Sequence, residues 1–399
     1  MRFFATCAKG TEGALRRELA RLRLPGVRGD RGGVFFEGEL EAGMRACLHV
    51  RSAMRILLEL ARFPASSAEE LYQGARSVRW QDWLTVRTTL AVEATVASSA
   101  IRHSGFAALK VKDAAVDALR EALGARPDVD PKDPDVRVVL HLNRDQAALS
   151  LDLAGAPLHR RGYRAVTTEA PLKETLAAAV LLLGDVDPRL PFVDPMAGSG
   201  TLPIEHALSA RRIAPGLSRA FGFQRWPAYR GGPQSAWDRM KAEARAAVLP
   251  RAPAPITARD GHPRAVEALR RNAAQAGVLS DLEIGEADAR DLVPASSPGT
   301  LVTNPPYGAR LGAGRQGEDP GEKGPGLRPR PETPGSGRSK QLAGFYRGLG
   351  EMLVRQHGWT ALLLCGNPLL EKAIPLRPEV DHRLFNGPLE VHLLKYRVR

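Results

Sequence analysis

Asn304-Pro305-Pro306-Tyr307 directly follows a short apolar run, Thr300-Leu301-Val302-Thr303. These residue types suit chemistry on a flat substrate that carries an amine. An exocyclic base amine is a poor nucleophile, because its lone pair is delocalised into the ring. The side-chain carbonyl of Asn304 and the backbone carbonyl of Pro305 can accept its two protons, which favours a geometry with the lone pair aimed at an electrophile. Pro305 and Pro306 are turn formers, and Tyr307 can stack on a base flipped out of its helix. Positioning supplies most of the rate in such a reaction, so no strong general base is required. Methylation of a ring carbon would need a cysteine nucleophile beside this loop, and no cysteine is near it in sequence.

A second element lies upstream, behind another apolar run. In Asp194-Pro195-Met196-Ala197-Gly198-Ser199-Gly200, Gly198 and Gly200 allow a tight turn into a helix beginning near Thr201. Such a turn presents backbone N–H groups at a helix N-terminus and leaves no Cβ in a ligand's way. No third glycine completes a dinucleotide fingerprint, and no Gly-Lys-Ser/Thr follows as in a P-loop. An acidic strand residue with a short glycine turn suits S-adenosylmethionine (SAM), whose charged methionine end and ribose both need polar partners. Asp260, at the end of Ile256-Thr257-Ala258-Arg259, is placed to accept from the ribose hydroxyls. It lies beyond the usual spacing of about 20 residues, which an insertion over 211–255 explains. Asp288, followed by Ala289, is placed to reach the adenine amine. A helix cap or turn is the plain alternative for either aspartate.

Bulk properties narrow the setting. A chain of 399 residues predicts two or three domains. No apolar run approaches the roughly 18 residues that span a bilayer, and the N-terminus lacks a signal-peptide layout. Cys7, Cys47 and Cys365 are scattered and odd in number, which argues against a disulfide framework and against zinc. A cytoplasmic protein without metal is expected. The net charge of +13 makes nucleic acid the leading partner class.

Elements that could position the two motifs follow from periodicity. Residues 1–50 read strand, helix, strand: Phe3–Thr6, an amphipathic stretch from Thr11 through Leu22, then Gly33–Glu37. From 51 to 165 the pattern is mixed, with half-buried strands at Leu90–Val96 and Val136–Leu142. Ala147–Leu153 pairs back after a turn at Asn143-Arg144-Asp145. A helix over Phe106–Leu119 is basic at its start, so Lys110 and Lys112, with Arg102 and His103, form a candidate RNA-facing patch. From 166 to 399 strands alternate with helices, the α/β signature. The strands are Pro191–Asp194, Ile256–Asp260, Leu282–Gly285, Leu301–Thr303 and Thr360–Cys365, closed by an antiparallel pair, Asp381–Phe385 and Val391–Tyr396. The insertion 211–255 carries Trp226, Tyr229 and Trp237. A Gly/Pro-rich stretch, 312–340, is expected to be a disordered loop.

With these motifs in place, the chain resembles the bacterial 23S ribosomal RNA guanine-N2 methyltransferases of the RlmL type. That resemblance implies a ferredoxin-like unit (1–50), a THUMP RNA-binding domain (51–165) and a Rossmann-like class I SAM-dependent methyltransferase domain (166–399). Asp194–Gly200 and Asn304–Tyr307 are similar to the family's cofactor and catalytic motifs. Lys173-Glu174-Thr175 stands where the family lines its cofactor site, and His159–Tyr163 with Arg160, Arg161 and Arg164 stands where its THUMP region ends, which implies that these three arginines bind RNA. Leu384-Phe385-Asn386-Gly387 is similar to its C-terminal hairpin. The family's fused form carries a second methyltransferase domain, and this chain ends before one. His262 stands where an acidic residue is common. Similar tetrapeptides occur in adenine-N6 DNA and glutamine-N5 protein methyltransferases, so the N-terminal half separates the RNA enzyme from these. A THUMP-containing tRNA guanine-N2 methyltransferase and a non-catalytic RNA-binding assembly factor are the alternatives.

Overall fold

Alternating burial along Val136-Arg137-Val138-Val139-Leu140-His141-Leu142 is what a strand with one covered face produces. The computed structural model describes residues 1–166, 172–293, 298–307 and 337–399, which fall into two compact units. Unit 1 comprises Met1–Gly162, Glu174–Ala179 and Arg212–Leu249, and unit 2 the remainder.

In unit 1 the chain runs β1 (Arg2–Thr6), α1 (Glu12–Arg21), β2 (Arg28–Asp30), β3 (Gly33–Glu37), α2 (Leu40–His49) and β4 (Arg55–Pro64). It continues as α3 (Ala68–Arg76), β5 (Thr89–Ala97), α4 (Ser104–Leu123), β6 (Asp128–Val129), β7 (Val136–Asn143) and β8 (Gln146–Asp152). The strands form one sheet in the order β2-β3-β1-β4-β8-β7-β5-β6. Strand β4, not among the strands expected from the sequence, pairs with β1 on one side and β8 on the other. The β7–β8 hairpin closes with Asn143 opposite Gln146 and with Arg144 and Asp145 at φ 51° and 56°. Two left-handed residues in succession match the right-handed twist of the flanking strands.

The segment read as an insertion in the second half of the chain supplies part of this unit's core. Phe221, Phe223, Trp226, Tyr229 and Trp237 cluster with Phe3, Leu15, Met44 and Leu151. Trp237, on α7 (Gly232–Ala246), meets Phe221 and Phe223 edge to face, with ring centroids 5.4 and 5.1 Å apart. Arg225 ties the same segment to Asp133 and to the Pro134 carbonyl.

Between the two halves of the chain lies α5 (Glu174–Leu183). Unit 2 alternates β9 (Phe192–Asp194), α6 (Thr201–Ala210), β10 (Ile256–Asp260), α8 (Pro263–Gln275), β11 (Leu282–Glu286), β12 (Thr300–Thr303), α9 (Gly337–Val354), β13 (Thr360–Cys365) and α10 (Pro368–Ala373). The antiparallel pair β14 (Val380–Asn386) and β15 (Leu389–Arg397) closes it. The sheet order is β11-β10-β9-β12-β13-β15-β14, parallel from β11 through β13. Its central strands β9, β12 and β13 are short and, apart from Asp194 at the end of β9, apolar or threonine, as strands covered on both faces must be. Leu342, Tyr346, Leu349 and Met352 of α9 pack with Leu301, Leu363 and Tyr396 on one side. Of the stretch expected as a loop, 312–336 lies outside the described residues. Gly337–Lys340 instead opens α9, because the prolines stop at Pro334 and the helical spacing of Leu342, Tyr346 and Leu349 carries the helix back towards them.

Trp237→Ala should cost about 3–5 kcal/mol of stability, read by urea denaturation of the whole chain. A loss below about 1 kcal/mol would mean that this segment is not part of the unit's core.

Candidate active site

Parallel order reverses between β9 and β12, and ligands of open α/β sheets settle at the carboxyl ends of strands at such a switch point. Asp194 ends β9 and Asn304 directly follows β12, so both motifs expected from the sequence arrive at that place.

Asp194 is 1% exposed. Its Oδ1 accepts from the Met196 N–H at 3.1 Å and from the Thr303 hydroxyl at 2.8 Å. Its Oδ2 is buried without a partner. Loss of water around the carboxyl pushes its pKa up to about 7, and nearby Asp260 adds to the rise. An orphaned buried carboxylate oxygen costs free energy unless a donor or cation meets it. The donor set therefore fits a cationic ligand end at Asp194.

The turn after Asp194 has the conformation that its glycines suggest. Gly198 has φ 55° and Gly200 φ 90°, and a Cβ on Gly200 would come within 2.2 Å of Leu269 Cδ1. The Gly198 N–H donates to Asp260 Oδ2 at 2.8 Å, while Asp260 Oδ1 accepts from the His262 N–H at 3.0 Å. Pro195, Ala197, Ser199 and Thr201 are buried around the turn. Asp260 thus reaches the glycine turn across the sheet, and it is half-buried.

Arg164 is half-buried and turned towards the glycine turn. Its guanidinium donates to Ser199 Oγ at 3.1 Å, to Thr201 Oγ1 at 3.0 Å and to the Leu172 carbonyl, and so braces the turn. Asn272, fully buried on α8, donates to the Ser199 carbonyl at 2.9 Å and accepts from the Val166 N–H. A lone asparagine between Arg271 and two alanines was the only trace of this role in the sequence.

Asp288 caps the short turn Ala289–Asp291 and receives both Arg290 Nε and Nη2. The side-chain bonds from Arg290 hold its carboxyl below the ordinary range. The cap, the plain alternative, is what the structure displays, and Ala289 is buried behind it. Lys173 is exposed at the N-terminus of α5, whose first turn holds the buried Glu174 and Thr175.

The tetrapeptide is held from three sides. The Tyr307 hydroxyl donates to Asn304 Oδ1. The Tyr346 hydroxyl donates to the Pro306 carbonyl, and Asn367 Nδ2 to the Tyr307 carbonyl at 3.2 Å. The Tyr307 ring lies on Gly366, where a Cβ would sit 2.6 Å from the ring. Pro305 is buried, and Asn304, Pro306 and Tyr307 are half-buried. Pairing of β12 with β13 brings Cys365, next to Gly366, beside this loop, although no cysteine is near it in sequence. The thiol is buried, donates to the Asn367 carbonyl, and burial raises its pKa, so it offers no thiolate for attack.

The candidate RNA residues of unit 1 also separate. Arg161 is buried and donates to the Leu158 and Arg51 carbonyls, so it is an internal strut. Its side chain satisfies backbone carbonyls that strands and helices leave unused. Arg102 and Arg160 are exposed. His103 caps α4 by accepting from the Phe106 N–H at 2.9 Å. Lys110 lies over the Phe106 ring, and Lys112 pairs with Asp113 at 2.9 Å. No helix among the described residues is long and apolar enough to cross a membrane. The described residues hold no cluster of metal-ligating side chains.

Comparison with known proteins places these features together. Residues 2–57 match an RlmL ferredoxin-like domain, 65–152 a THUMP domain and 161–319 an RMKL-like methyltransferase domain. A ribosomal RNA large subunit methyltransferase K/L from Syntrophotalea carbinolica is 43% identical over all of this chain and 54% of its own length. The chain spans about half the length of the curated relatives it matches. The structure of SMU.472 complexed with SAH aligns over 100% of this chain and 98% of its own, at TM-score 0.86 and 29% identity. A predicted N6-adenine-specific DNA methylase from Listeria monocytogenes aligns over 100% of this chain and 96% of its own, at TM-score 0.84 and 28% identity.

The buried Asp194 gives a pH signature. An unfolded carboxyl ionises near 3.8 and this one near 7, so between these values the folded chain holds the extra proton and its stability falls as pH rises. Asp194→Asn removes that term. Its stability relative to wild type should therefore improve by about 2–3 kcal/mol between pH 5 and pH 8, read by denaturation without ligand. A difference that does not change with pH would show that the carboxyl is not held neutral.

Proposed function

We propose that the chain belongs with the RlmL-type THUMP methyltransferases and that it methylates the exocyclic N2 amine of a guanine in 23S ribosomal RNA, with SAM as donor. The observation that carries the reading is the meeting of a buried, half-satisfied Asp194 with Asn304 at the ends of adjacent strands. SAM held there would supply the methyl group from its sulfonium, the sulfur keeping the bonding pair while N2 would give up one proton to solvent.

The chain's own residues bind and orient. Asp194 Oδ2 takes the cationic ammonium of the methionine end, over the turn Pro195–Thr201. Asp260 serves the ribose, and Asp288 with Ala289 borders the adenine, with Lys173 contributing to the same site. Asn304 Oδ1 and the Pro305 carbonyl accept the two N2 protons. Tyr346 donates to the Pro306 carbonyl and so anchors the loop that carries Asn304 and Pro305. The Tyr307 hydroxyl donates to Asn304 Oδ1, which ties the aromatic ring to the asparagine, and that ring stacks on the guanine. Arg102, His103, Lys110, Lys112 and Arg160 offer unit 1's contacts to the RNA backbone. With ribosomal RNA as its substrate, the enzyme's proposed location is the cytoplasm.

Labelled methyl transfer from SAM to RNA from cells lacking the gene, followed by nucleoside analysis, tests the reading. N2-methylguanosine in 23S RNA is expected. Label in tRNA would move the substrate, and N6-methyladenosine would overturn the base. Asn304→Ala should lower turnover by at least 100-fold with SAM affinity within about threefold of wild type. Tyr307→Phe should keep most of the activity that Tyr307→Ala loses; equal losses would refute a stacking role.

A further inference from the structure

We propose that Thr303 is a positioning residue whose hydroxyl orients Asp194 so that a single carboxylate oxygen is presented to the cofactor's ammonium group. The inference rests on the reading that this site takes SAM, and it adds a residue that neither sequence motif contains.

Thr303 is the last residue of β12 and is fully buried, in a strand otherwise made of Thr300, Leu301 and Val302. A hydroxyl in so dry a place costs about 1–3 kcal/mol unless it is bonded, so valine would be the more stable choice if shape alone mattered. In its ionised form, the one a cation meets, the carboxyl only accepts, and Thr303 is the donor, over 2.8 Å to Asp194 Oδ1. The Met196 N–H meets the same oxygen at 3.1 Å. Two donors from different directions, one on the neighbouring strand and one on the turn, fix the rotation of the carboxyl group. The whole unmet demand is thereby concentrated on Oδ2, which is buried and has no partner. Without the hydroxyl the carboxyl keeps one donor, can rotate, and divides its demand between two oxygens.

SAM titrations by calorimetry and steady-state kinetics on the full chain decide the matter. Thr303→Val should raise the Kd and KM for SAM about tenfold, with kcat at saturating SAM within about threefold of wild type. Thr303→Ser, which keeps the hydroxyl, should restore the Kd to within twofold. In a double-mutant cycle with Asp194→Asn, the Thr303→Val effect on Kd should vanish, because the group it orients is gone. Wild-type affinity in Thr303→Val, additive effects in the cycle, or a serine variant as weak as valine would each overturn the role. Should Thr303→Val not fold, Thr303→Ala replaces it in the same cycle with the same outcomes. If the wild-type chain binds no SAM, the cofactor assignment itself fails, which is a separate result from any failure of Thr303.

Discussion

A carboxylate shut away from water with one oxygen unmet is the constraint around which unit 2 is arranged. Asp194 must end a buried strand to stand at the switch point, and burial there raises the free energy of its charged form. Thr303 from the adjacent strand and the Met196 N–H offset part of this, and both act on one oxygen. The remaining deficit is local, directional and of a sign that only a donor or cation relieves. A site of this kind trades stability of the empty fold for preference towards one end of one ligand.

Around that carboxylate the structure spends buried polar side chains on stiffness rather than contact. Arg164 and Asn272 fasten the glycine turn by its hydroxyls and carbonyl, while Tyr346 and Asn367 fasten the tetrapeptide by its backbone. A turn rich in glycine is cheap to bend, and loops so built hold a geometry only when outside groups hold it for them. The two motifs therefore depend on residues well separated from them in the chain.

Strand and helix periods are local properties, and most elements of both sheets were legible for that reason. The ends of β9 and β12 could be read because apolar runs stop abruptly at Asp194 and Thr303. Side-chain destinations are not local, and there the sequence misled. Arg161 and Arg164 sit in a basic run that looks like a polyanion surface, yet one is internal to unit 1 and the other clamps hydroxyls in unit 2. Nothing in their spacing distinguishes a guanidinium that satisfies carbonyls from one that waits for phosphate. Cys365 lies 58 positions after Tyr307 along the chain, and only the parallel register of β12 with β13 makes them neighbours. Asp288 was ambiguous in sequence between ligand and cap, because both uses favour the same residue at the same strand end.

The aromatic segment Arg212–Leu249 has a consequence for how the protein is made. It is encoded after β9 and α6 have already been read, yet its tryptophans complete the core of the unit that begins at Met1. During synthesis the first sheet must wait, with Phe3, Met44 and Leu151 incompletely covered, until Tyr163–Lys173 and Val180–Arg211 of its neighbour have left the ribosome. Neither unit can be cut out as a continuous stretch of gene. Evolution could therefore exchange neither half as a cassette, and the pairing of an address with a chemistry has been woven into the thread itself.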